Sequence, residues 1–214
     1  MRKIPHAFLP AALPLAALLA AGAGLAAPAA EPFGYPASAI EAPATLADPP
    51  AALVHIGAES VRLGATLLDA VASPRGARIR HEGEGDFARD WACLTGGDRS
   101  RPFVLWLIAT GSPRISEAQL ERRAEGAVPA FCGRIGEAED AVRFGAASLG
   151  MSLDEADARL GAASHEDGFG WRFWLSQQFI KNSRGLEGLE LNWLGARFRD
   201  GRAERLFTSF VRNP

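Results

Sequence analysis

Gly170-Trp171-Arg172-Phe173-Trp174-Leu175-Ser176-Gln177 is the stretch on which the fold turns. Trp171, Phe173 and Leu175 alternate with Arg172, Trp174 and Ser176, and a period of two places alternate side chains on opposite faces of a strand. The pattern predicts a half-buried strand. Downstream, Leu189, Leu191 and Trp193 alternate with Glu190 and Asn192, and Arg197-Phe198-Arg199-Asp200-Gly201-Arg202 reads as a strand entering an Asp-Gly hairpin turn. A last strand over residues 203–211 is expected to pair back. Taking Trp171, Phe173, Leu175, Leu191 and Trp193 as core leaves Arg172, Trp174, Asn192 and Arg197 on an open sheet face. Trp and Arg dominate binding energies at interfaces, so these four are the candidate binding residues.

Upstream of this strand, Leu149-Gly150-Met151-Ser152-Leu153-Asp154-Glu155-Ala156 carries a capping box, with Ser152 and Glu155 spaced to satisfy each other's backbone N–H. The box predicts a short helix over Leu153–Leu160, ended by Gly161. A weaker copy lies 86 residues earlier, where Leu63-Gly64-Ala65-Thr66-Leu67 offers Thr66 as cap and Asp69 as its partner. His81-Glu82 follows the first copy and His165-Glu166 the second, and each half then continues into aromatic segments, over 90–94 and 102–110 in the first. A tandem duplication is one reading of this likeness; chance similarity in an alanine- and glycine-rich chain is the other. Between the halves, Ser116 and Gln119 are placed to cap a helix from Glu117 to about Ala127.

The stretch 148–211 resembles a module shared by β-lactamase-inhibitor proteins and the small lipoproteins of outer-membrane assembly. The resemblance rests on Leu-Gly-Met-Ser-Leu-Asp-Glu-Ala, Leu160-Gly161, the aromatic strand 171–175 and the Phe198–Arg202 turn. It implies an α+β fold, a helix–loop–helix packed on one face of an antiparallel sheet, which the inhibitors carry in tandem. It also implies a protein that acts by binding other proteins. The lipid-attachment cysteine of the assembly lipoproteins has no counterpart here.

At the N-terminus, Arg2 and Lys3 precede an uncharged run whose apolar centre spans about Leu13 to Leu25, shorter than the ~20 residues a membrane-crossing helix needs. Ala27-Pro28-Ala29 offers small residues for signal peptidase, so residues 1–30 read as a cleaved export signal. Residues 31–50 hold five prolines and five alanines and read as a disordered or extended lead-in. The remaining ~160 residues suffice for one core or two small ones, divided as 51–135 and 136–214. Export puts Cys93 and Cys132, the only cysteines, in an oxidising compartment where they are expected to pair.

Composition narrows the function. The 214 residues carry 23 Lys+Arg against 25 Asp+Glu, no positive excess with which to neutralise a phosphate backbone, so nucleic acid is not the expected partner. Two cysteines are too few for a structural zinc site, and no nucleophile, phosphate-loop or zinc-protease motif is present. His81-Glu82-Gly83-Glu84-Gly85-Asp86 and His165-Glu166-Asp167 could supply imidazole and carboxylate groups to a metal or a proton transfer, but their glycine-rich setting reads first as solvated loop. The expectation is a periplasmic or secreted protein-binding or inhibitory module, without a cofactor, catalytic residues or stable membrane insertion. An envelope-assembly accessory factor and a small hydrolase using His81 or His165 are the alternatives.

Overall fold

The computed structural model describes residues 31–34, 36, 49–85, 88–98, 100–125, 127–136, 141–181, 185 and 187–213. The expected signal peptide lies outside the described residues. Strand accounts for 51% and helix for 11%, which corrects the expected α+β class to an all-β architecture.

The chain begins with a hairpin, β1 (Leu53–Ile56) and β2 (Glu59–Arg62), then α1 (Leu68–Ala72) and a 3-10 turn at Ser73–Arg75. A four-strand meander follows: β3 (Arg80–Glu82), β4 (Arg89–Gly96), β5 (Phe103–Thr110) and β6 (Glu117–Arg122). A short strand, β7 (Gly133–Arg134), leads to a second hairpin, β8 (Val142–Phe144) and β9 (Ala147–Ser148), then α2 (Leu153–Leu160). The last meander is β10 (His165–Glu166), β11 (Trp171–Lys181), β12 (Glu187–Arg199) and β13 (Arg202–Asn213).

These elements form two sheets. The larger runs β10-β11-β12-β13-β6-β5-β4-β3, with β7 added in parallel beside β4; the smaller runs β2-β1-β8-β9. The order has the same pattern from either edge, since the two meanders meet through β13 and β6 and the two hairpins through β1 and β8. Both sheets therefore cross the boundary at 135/136, and the halves share one body.

The inner face of the large sheet carries Leu94, Leu105, Leu120, Trp174, Leu194 and Leu206 and packs against Val54, Ile56 and Phe144 of the small sheet and Ala156 of α2, all buried. The outer face is covered too. Trp91, Cys93, Val104, Trp106 and Ile108 lie under Val128, Phe131 and Cys132, while Trp171, Phe173, Leu175 and Phe207 lie against Phe33. Coverage on both faces leaves no place for a helix–loop–helix layer: among the described residues one eight-residue helix, α2, precedes the second meander and leads directly into β10.

Local expectations fare unevenly. The α2 cap forms as read: Ser152 Oγ accepts the Glu155 N–H at 3.2 Å and the Glu155 carboxylate accepts the Ser152 N–H at 2.7 Å. The matching cap at Thr66 does not form; Thr66 Oγ1 instead accepts the Arg62 N–H at 2.9 Å, and α1 starts without a side-chain cap. The expected helix from Glu117 is β6. Its alternation of Ala118 and Leu120 inward with Glu117, Gln119 and Glu121 outward suits a strand, and pairing on both sides with β5 and β13 overrides helix propensity. The Asp-Gly turn forms with positive φ at both Asp200 (52°) and Gly201 (72°), the geometry of a type I′ hairpin.

The lead-in is more ordered than its composition suggests where it is described. Pro32 and Pro36 are buried, and the Phe33 ring lies 5.9 Å from Trp171 and 5.3 Å from the Arg205 guanidinium. Proline brings no N–H to satisfy, so this segment can lie on a sheet face without stranding a donor.

Candidate functional site

The four residues expected on an open face are not brought together. Trp174 is fully buried beneath α2, its indole N–H donating to the Gly161 carbonyl at 3.0 Å. Asn192 is buried as well, and acts as a clamp. Its Oδ1 accepts the Ala51 N–H at 2.8 Å and its Nδ2 donates to the Ser209 carbonyl at 2.8 Å, fixing the start of the folded chain to the sheet. Arg172 spans Asp157 of α2 at 3.0 Å and Glu166 of β10 at 2.8 Å. Arg197 shares Glu204 with Arg199 and lies opposite Trp171 in the ladder, on the outer face. The physical reason is that the sheet is covered on both sides, so the face taken as open is the main core.

The histidines part even further. His81 sits on β3 and His165 on β10, at opposite edges of the large sheet. His81 Nδ1 lies 2.7 Å from Asp90 Oδ1, and that hydrogen bond raises its pKa above the ordinary imidazole value. Asp86 lies outside the described residues. Among the described residues no group of three His, Cys, Asp or Glu side chains is placed to hold a metal ion. The Cys93–Cys132 disulfide is formed, with Cα atoms 4.8 Å apart, and ties residues 128–132 to the outer face beside β7. Among the described residues no helix is long and apolar enough to cross a membrane.

Two features that the sequence reading missed stand out instead. The first is a polar seam where β6 meets β13 on the outer face. Glu121 is buried between Arg123 and Arg205, 3.4 Å from the latter, and accepts the Trp106 indole N–H at 3.2 Å. Gln119 donates to Glu117 at 2.6 Å and to the Phe33 carbonyl at 3.0 Å, while its own Oε1 is buried without a partner. Burial pushes the Glu117 carboxyl up to about 7, against the opposing pull of Gln119 and of Arg89. Glu117 lines an open pocket of about 990 Å³ with Leu63, Trp193, Ser209, Phe210 and Val211.

The second is a tongue. β6 pairs with β13 no further than Ser209, with the Phe210 N–H closing on the Ser116 carbonyl at 2.8 Å, and β10 pairs with β11 no further than Phe173, so residues 177–181, 187–191 and 211–213 extend as three strands past their described neighbours. On their outer face Phe179 lies opposite Leu189, and Leu191 opposite Val211. Phe179 is 80% exposed and Val211 40%, with Leu189 and Leu191 half-buried. The signal for it was present, since Phe179, Leu189, Leu191 and Val211 keep apolar residues on the outer face beyond Leu175, the last residue of β11 that this cluster buries.

Comparison of the chain with protein families, with curated proteins and with solved structures gave no match. What the chain does is therefore read from its own side chains.

Proposed function

We propose that the chain is an exported, periplasmic protein-binding module that holds its partner against the outer face of the tongue. The observation that carries this reading is Phe179, four-fifths exposed and facing Leu189 across the ladder, with Leu191 and Val211 next to them on the same face. A lone exposed phenylalanine is ordinary, but adjacent cross-strand pairs make a contiguous patch of the kind that marks interaction sites. A rigid ring that gains contact area at low entropic cost is also the usual energetic centre of an interface. Gln177 and Lys181 border the patch and supply a polar rim. The compartment is supported by Arg2 and Lys3 ahead of an apolar run, and by a disulfide of the sort that oxidising compartments sustain.

The test is capture of partners from periplasmic extract by the oxidised chain from residue 31 onward, with Phe179→Lys as the tongue variant. Ile79→Lys, an exposed position just before β3 at the other edge of the sheet, is the control. A partner lost by Phe179→Lys and kept by Ile79→Lys supports the reading. Equal capture by both moves the site off the tongue, and failure of the unmodified chain to capture anything overturns protein binding. The partner's identity then separates an inhibitor from an envelope-assembly factor.

A further inference from the structure

The two outer edges of the large sheet are finished differently. On the first-half side, β3 pairs with residues 89–91 of β4, and β7 pairs with Leu94 and Thr95, so that strand is covered along most of its length. β3 is itself short and presents exposed Arg80, His81 and Glu82, a polar edge that discourages further pairing. On the second-half side β10 pairs with Arg172 and Phe173 of β11. Ser164 then takes up the Phe173 carbonyl and the Leu175 N–H, and the cover stops. The β7 slot begins three residues past the last β3 pair, Leu94 after Trp91; the same step from Phe173 leads to Ser176.

Backbone direction identifies the open groups. In an antiparallel strand the N–H and C=O of one residue point the same way, and successive residues alternate. Asp167 and Ser164 engage the backbones of Trp171, Phe173 and Leu175 from the edge side, and the register with β12 is unbroken to Lys181 opposite Glu187. Gln177, Phe179 and Lys181 therefore direct their backbone groups outward, and their side chains are exposed as well.

The geometry points to strand addition: an extended segment of the partner lies along residues 176–181 of β11, as β7 lies along β4. It exchanges backbone hydrogen bonds with Gln177, Phe179 and Lys181 and sets alternate apolar side chains on Phe179 and Leu189. This deepens the docking reading above and rests on it. The first half shows the form of the occupant, because its own chain fills both surfaces there: Val128, Phe131 and Cys132 cover the outer-face cluster while Gly133 and Arg134 pair at the edge. Beside β11 the same two surfaces adjoin and, among the described residues, no segment covers them. A backbone row that faces outward is complemented by another extended backbone, and alternate apolar side chains supply its selectivity.

Hydrogen exchange on the oxidised chain gives the first readout. The amides of Gln177, Phe179 and Lys181 exchange freely while that of Ile180, directed at β12, is protected; slow exchange at the three outward amides overturns the proposal. A random peptide library panned on the same protein is the probe. Recovered peptides are expected to alternate apolar and polar residues and to slow exchange at Phe179 and Lys181 by at least about tenfold. Gln177→Pro removes one outward donor and leaves the β12 ladder intact, so it should weaken those peptides at least about tenfold while Gln177→Lys keeps them. Peptides that bind without slowing these amides, or that tolerate Gln177→Pro, overturn strand addition and leave docking on the face standing. Recovery of no peptide overturns it too, as does a dimer dispersed by Gln177→Pro, which would give the slot to a second copy of the chain.

Discussion

The indole N–H of Trp174 donates to the carbonyl of Gly161 at 3.0 Å, so the residue that ends α2 is fastened to the sheet by a fully buried side chain. Gly161 has φ of 75°, and its own N–H closes the helix on Asp157. Trp174 is thus a folding residue. Trp174→Ala should cost about 3–5 kcal/mol by cavity formation, and Trp174→Phe about 1–2 kcal/mol by loss of the hydrogen bond. Urea unfolding measures both, and a loss under 1 kcal/mol for the alanine variant would contradict the packing described.

Glu117 makes stability depend on pH in a stated direction. A carboxyl raised on folding from the ordinary 4.5 to about 7 binds more protons folded than unfolded between those values. Its contribution is full below about 4.5 and is lost as pH rises through 7. Glu117→Gln should flatten that decline, narrowing the loss between pH 5 and 8 by something on the order of 2 kcal/mol. Parallel thermal melts of the two proteins across pH test this; superimposable curves would refute it.

Glu121 is the anion on which three donors converge, those of Arg123, Arg205 and Trp106. Removing it takes this carboxylate from the largely buried Arg123, from Arg205 and from the buried Trp106 indole, so Glu121→Ala should cost about 3–5 kcal/mol. Replacing Arg205 alone, a third exposed, should cost far less. Chemical denaturation of the two variants decides whether the seam is organised around the carboxylate.

Reduction of the Cys93–Cys132 bond, or its replacement by alanines, should lower stability by about 3–4 kcal/mol, given a loop of 39 residues. It should also free the arm over Trp91 and Trp106. The expected signature is a change in tryptophan fluorescence together with faster exchange at Ile135, whose N–H is bonded to Thr95 in the oxidised protein.

The long strands, the Asp-Gly turn, α2 with its cap and the cysteine pairing were legible in the sequence, because each is written in local chemistry. All five tryptophans fall in strands, Trp91 and Trp106 in the aromatic segments of the first half. The hairpins β1–β2 and β8–β9 were not legible: they are short, and they become strands only by pairing with each other. β6 was misread because Glu117 to Ala127 suits a helix until two neighbouring strands claim it. The binding face was inverted for a related reason. Alternation separates two faces but does not say which is covered, and here both are, Trp174 on one and Trp171 on the other.

The meeting of β13 with β6 and of β8 with β1 sets the order in which this chain can fold. Leu120 finds its partner Leu206 only after 86 further residues, and Val54 waits for Phe144. Pairings so distant in sequence carry a large loop-closure cost ahead of any reward, and chains dominated by them fold slowly. The outer edge of β6 therefore stays bare until the last strand arrives. That interval, while the newly made chain is incomplete, is when aggregation threatens most, and when a holding chaperone would matter more than any later gain in native stability.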